Sequence, residues 1–146
     1  MTPMIFVRIA LFILTFVFVL SCKTYYIPIE SFKEQFEDID SADLLLVKIM
    51  GPVGYYAEYM ANPIDYIKCV DKNNNDFELK NSPSIEIRFT DNSNKHTIYY
   101  FDRIFLQDTL IIGDMSRFIR LRKSISVNDL KLIEVQDGRK GYYYIE

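Results

Sequence analysis

Reactive residue types are sparse in this chain. It has two cysteines, Cys22 and Cys69, and one histidine, His96. A nucleophilic thiol needs a neighbouring base, and nothing in the spacing brings His96 to Cys69. The segment Tyr66-Ile67-Lys68-Cys69-Val70 surrounds that thiol with apolar residues, so Cys69 reads as buried and inert. One histidine cannot build a His-rich metal site, and no C-x-x-C or H-E-x-x-H spacing occurs. Asp71, Asn73 and Asn75 alternate as at the start of a calcium loop. The sixth position, however, is Asp76 rather than Gly, and the twelfth is Ser82 rather than Glu, which removes the bidentate ligand. That stretch reads as a turn, and no metal or cofactor is expected. The five glycines are scattered and form no phosphate loop. Carboxylates are plentiful, so a hydrolase working through paired Asp/Glu stays open, although no spacing selects a pair.

The basic residues are less evenly spread. Arg117–Lys140 carries seven basic and three acidic residues. Arg120 and Arg122 are two apart, which on a strand puts them on one outward face. Arg117, Arg139 and Lys140 widen the patch if the last hairpin folds alongside. The functional reading is an anion site for lipid headgroups, a charged glycan or an acidic partner protein. The alternative is a solvated face balancing the acidic stretch 30–43. Tyrosines recur in adjacent groups, Tyr25-Tyr26, Tyr55-Tyr56, Tyr99-Tyr100 and Tyr142-Tyr143-Tyr144. On a strand each pair sends one ring inward and one outward. The outward rings suit cross-strand packing, or stacking on a sugar or a protein.

The first 21 residues differ from the rest. They hold 16 apolar residues and a single charge, Arg8. The uncharged run Ile9–Leu20 makes about 18 Å of helix against the roughly 30 Å of a bilayer core. A short positive start followed by so brief an apolar run is a secretory leader rather than a span; an uncleaved signal anchor is the alternative. Without it the chain keeps 16 of its 17 basic residues and all 20 acidic ones, a net charge of −4. An exported chain of that charge is not a nucleic-acid binder.

The leader ends in Val19-Leu20-Ser21-Cys22, which resembles the lipobox of bacterial lipoproteins: an aliphatic residue, a small or aliphatic one, a small one, then Cys. The resemblance covers residues 1–22. It implies cleavage between Ser21 and Cys22, a diacylglyceryl group on the Cys22 thiol, and acylation of the new amino group. Two or three chains at about 0.8 kcal/mol per buried CH₂ anchor stably. Lys23 is not the Asp of an inner-membrane retention signal, and Lys23-Thr24-Tyr25-Tyr26 lacks an acidic surface-export cluster. The expected address is the outer membrane, facing the periplasm. Cys22 as an ordinary residue near a signal cleavage site is the alternative. With Cys22 lipidated, Cys69 has no disulfide partner.

Residues 22–146 favour strands, with sixteen Ile, eleven Tyr and only three Ala. One helix is expected at Ser31–Asp38, with Ser31 and Glu34 as a capping box and Phe32 and Phe36 on one face. Residues 22–43 are expected as a tether carrying this short acidic helix, and 44–146 as a single β domain. In Ser84–Thr90, Ile85, Ile87 and Phe89 point inward and Glu86, Arg88 and Thr90 outward. Long runs follow at His96–Leu106 and Arg117–Val127, the latter with Ile119, Leu121, Ile125 and Val127 on one face. Asp137-Gly138 predicts a hairpin into Tyr142–Ile145. Evenly spaced short runs predict a mainly β fold, a small antiparallel barrel or sandwich. Lys123–Val135 reads as strand, single helical turn, strand, with Asn128 and Asp129 capping the turn. That arrangement is similar to the end of SH3-like or Sm-like barrels. The functional expectation is a non-enzymatic, membrane-anchored envelope protein with a binding or accessory role. An envelope-polymer hydrolase and a small-ligand-binding β-barrel are the alternatives.

Overall fold

A computed structural model describes residues 22–146. The leader, with Val19, Leu20 and Ser21 of the lipobox-like motif, lies outside the described residues. Among the described residues the chain is mainly β, with one α-helix, and every strand pairing is antiparallel. In order the strands are β1 (Thr24–Tyr26), β2 (Leu45–Met50), β3 (Tyr56–Ala61), β4 (Tyr66–Val70), β5 (Asp76–Lys80), β6 (Ile85–Asp91), β7 (His96–Tyr100), β8 (Phe105–Gln107), β9 (Leu110–Asp114), β10 (Arg122–Ser126), β11 (Leu130–Asp137) and β12 (Tyr143–Ile145). The helix α1 spans Ile29–Phe36.

The strands form a six-stranded sheet, β5-β4-β1-β11-β6-β7, and two three-stranded sheets, β10-β9-β8 and β12-β2-β3. None closes on itself: the mainly β, antiparallel fold is as expected, but of the barrel or sandwich the barrel does not form. The segment that suggested SH3-like closure shows why. Strand, 3₁₀ turn (Val127–Asp129) and strand are all present. The turn, however, carries the chain from one sheet to another, since β10 pairs with β9 and β11 with β6. Its cap is Ser126, whose Oγ accepts the Asn128 N–H, in place of Asn128 or Asp129.

The core lies on one face of the large sheet. Ile85, Ile87 and Phe89 of β6 point into it as alternation requires, joined by Ile133 and Val135 of β11, Tyr99 of β7 and Ile67 of β4. Thr90 departs from the pattern, for it is buried with its Oγ1 2.9 Å from His96 Nδ1. Helix α1 covers this face through Phe32 and Phe36, both about 1% exposed. It therefore belongs to the body, as does β1, which sits between β4 and β11; residues 24–36 do not stand apart as a tether. The capping box does not form. Pro28 starts the helix without a side-chain cap, and Ser31 Oγ accepts from Gln35 Nε2. Gln35 also donates to the Lys68 carbonyl at 3.0 Å and accepts the Lys68 N–H at 2.8 Å. It thus satisfies backbone that β1, paired to β4 only at Tyr26–Val70, leaves open.

Two further expectations change. The run 117–127 is strand only from Arg122. Before that, Ser116 Oγ accepts the N–H groups of Phe118 and Ile119, and this competition with the sheet ladder makes a loop. Ile119 and Leu121 are consequently exposed. The Asp137-Gly138 hairpin is also absent. Gly138 N–H donates to the Ser84 carbonyl, Arg139 and Gly141 turn through the left-handed region, and β12 pairs with β2.

Candidate functional site

Where the small β12-β2-β3 sheet meets the end of β7, the structure gathers the charges that the core excludes elsewhere. The run 96–106 breaks into a 3₁₀ turn at Phe101–Arg103. Asn62, buried just after β3, holds that turn. Its Nδ2 donates to the carbonyls of Phe101 (2.7 Å) and Ile104 (3.1 Å), and its backbone N–H donates to the carbonyl of Asp102 (2.7 Å). The turn delivers Asp102 inward, where it is completely buried. Asp102 Oδ2 accepts hydrogen bonds from the hydroxyls of Tyr59 on β3 and Tyr144 on β12, the latter at 2.9 Å. Its Oδ1 has no hydrogen-bond partner among the described residues. Burial pushes the Asp102 carboxyl above the usual carboxylate range. The Tyr59 hydroxyl, Arg117, the Tyr144 hydroxyl and Arg103 oppose that rise without cancelling it. The same burial, with the Asp102 charge beside them, pushes the Tyr59 and Tyr144 hydroxyls above the ordinary phenol range.

Two guanidiniums flank this single carboxyl. Arg103 lies 3.7 Å over the Tyr59 ring. Arg117, only 7% exposed, lies 3.8 Å over Tyr100 and 4.7 Å from the Tyr142 ring centre, with Nη1 3.5 Å from the Tyr59 hydroxyl. Cation–π contact suits a weakly hydrated, planar guanidinium. It leaves the in-plane N–H groups available, and Nε and Nη2 of Arg117 and Nε of Arg103 have no hydrogen-bond partner among the described residues. Both side chains line a groove of about 670 Å³, together with Tyr59. Arg120 and Arg122 line it too, as do the apolar Leu46, Met60 and Phe118. Of its two carboxylates, Glu58 accepts from the Tyr56 hydroxyl and Asp114 pairs with Arg122 at 3.4 Å. The arrangement leaves these guanidinium nitrogens unbonded and shielded from solvent behind the groove wall, a low-dielectric setting that strengthens their pull on an anion.

The expected basic patch is thus rearranged. Arg117, Arg120 and Arg122 share the groove, but Arg117 is buried, Arg120 precedes the strand, and Arg122 is committed to Asp114. Lys140 lies apart, bonded to Glu86 and 5.2 Å from the centre of the same Tyr100 ring that Arg117 covers. Arg139 is exposed on the turn before it. Cys22 is exposed at the start of the described chain. Cys69 is buried, with its thiol pushed up to about 11 by desolvation and its Sγ 3.4 Å from the Phe77 carbonyl. Asp71 holds a turn, for its Oδ1 accepts the N–H groups of Asn73 and Asn75. Sequence reasoning did not single out Asp102, Arg103, Tyr59 or Tyr144. The available signal was Asp102-Arg103, two adjacent charges interrupting an otherwise apolar run. No family model, curated protein or solved structure matches the chain.

Proposed function

We propose that the protein is an exported, lipid-anchored domain of the outer membrane that faces the periplasm. In this reading it is not an enzyme, and its groove binds an acidic group carried by another envelope component. The anchor rests on Val19-Leu20-Ser21-Cys22 at the end of an apolar leader. The binding role rests on one observation above all. Arg117 is buried with two guanidinium nitrogens unpartnered, and with Arg103 it outnumbers the carboxyl beside it. A buried donor left unbonded costs about 1–3 kcal/mol, which an anionic ligand accepting those N–H groups offsets.

The anchor is tested by Cys22→Ala in cells. The expected result is release from the membrane fraction or accumulation of an uncleaved precursor; a normally processed, membrane-bound variant overturns it. The groove is tested with a polyglutamate peptide, following tyrosine fluorescence at two salt concentrations. Binding should weaken with salt, and Arg120→Gln with Arg122→Gln should reduce it several-fold without changing the fold, since both side chains are exposed. Binding that ignores salt and both substitutions sinks the reading.

A further inference from the structure

The two ends of the large sheet differ in kind. Thr24, Gln136, Glu86 and Tyr100 stand side by side across β1, β11, β6 and β7. Three inter-strand steps separate the first from the last, roughly 14 Å. Everything beyond this row leaves the sheet at one end: Cys22 and Lys23 before β1, the turn 138–142 after β11, and the 3₁₀ turn after β7. The loop carrying Arg117 and Phe118 joins them, because Arg117 stacks on Tyr100 and Tyr142. Tyr55 meets Phe118 and Tyr142 edge-on, so the turn 51–55 belongs there as well.

This end carries unpacked apolar tips. Val53 is fully exposed, Phe118 is 74% exposed and Ile119 64%. Val53 also holds a left-handed backbone (φ 54°), a conformation that β-branched residues avoid. Single exposed apolar residues are ordinary, but here three stand on two loops that the Tyr55–Phe118 contact brings together. The same end carries cations: Lys23, Arg120 and Arg139 take part in none of the ion pairs formed among the described residues. The β4–β5 turn adds Lys72 on the far side of β1, while Asp71 and Asp137 are spent on their own turns. At the opposite end the β6–β7 turn presents Asn92, Ser93 and Asn94.

We infer that the end holding Cys22 is a membrane-contact face: Val53, Phe118 and Ile119 enter a phospholipid surface, and Arg120 and Arg139 meet its phosphates. The inference rests on the lipid-anchor reading, which brings a bilayer to Cys22. Apolar tips under a basic rim match the layering of acyl chains beneath anionic headgroups. Phe118, Ile119 and Arg120 also line one wall of the groove, so the two readings share that loop, and the groove test is made on the protein free of vesicles.

The test places a single thiol at Val53→Cys, Ile119→Cys or, as a control, Ser93→Cys in the full-length protein purified from membranes. Each is labelled with an environment-sensitive fluorophore and reconstituted into vesicles of phosphatidylethanolamine and phosphatidylglycerol containing brominated lipid. Cys69 is buried and does not compete for label. Labels at 53 and 119 should shift to the blue and be quenched several-fold more than the label at 93. Equal, water-like emission at all three positions overturns the inference, as does failure of the protein to enter vesicles. The unmutated chain separates the two readings: label taken up at Cys22 shows an unmodified thiol and refutes the anchor alone. Quenching at 53 and 119 that is unchanged by Arg120→Gln with Arg139→Gln assigns the contact to the apolar tips and removes the phosphate role of Arg120 and Arg139.

Discussion

Asp102 is the residue on which the site turns, and its chemistry has a measurable sign. A carboxyl raised above its unfolded value binds its proton more tightly in the folded state. The stability this contributes is present below the ordinary carboxylate value near 4, and it is lost as pH rises through the higher folded value. Asp102→Asn keeps an acceptor for Tyr59 and Tyr144 and removes the titration. The unmutated protein should therefore lose stability relative to the variant as pH rises above about 4, read from urea midpoints across a pH series. Parallel profiles would refute the assignment. The sequence shows only that Asp102-Arg103 interrupts an apolar run; the burial of Asp102 depends on tyrosines some forty residues away in each direction. Cys69 and the Asp71 turn were legible, since both are decided by near neighbours.

At the level of elements, local pattern succeeded where one face of a strand is decisive. The alternation of Ile85, Ile87 and Phe89 fixed β6, and the spacing of Phe32 and Phe36 fixed the buried side of α1. It failed where a competing hydrogen bond outweighs the pattern. Ser116 turns Phe118 and Ile119 into a loop, and the Ser84 carbonyl draws Gly138 away from a tight hairpin. Contact between sheets is invisible to pattern altogether. Gly113 on β9 faces the large sheet so closely that a Cβ would stand 2.6 Å from Ile104 Cγ2 and 3.0 Å from Tyr99 Cδ1. Gly113→Ala should cost about 1–3 kcal/mol through this overlap, measured by denaturant unfolding. An unchanged midpoint would mean that the small sheet is free to move away.

For the whole molecule, composition announced a mainly β chain, and the three-sheet arrangement needed the structure. Twelve short strands allow a barrel on length and count alone. What forbids it is the pairing of β12 with β2, and of β1 between β4 and β11, neither of which leaves a local trace. That second pairing makes a strong prediction. A chain beginning at Leu44 lacks an internal strand of the large sheet together with Phe32 and Phe36, whose loss alone costs about 3–5 kcal/mol each. Such a fragment should not fold cooperatively, as judged by near-ultraviolet circular dichroism and urea titration. A cooperative transition would restore residues 22–43 to the status of a tether.

The same pairing has a consequence in time. Tyr25, among the first described residues, takes Val135, close to the far end of the chain, as its partner. The large sheet is incomplete until Val135 has been made, and contacts of such long sequence separation form slowly. A protein built this way stays pliable while it is being made.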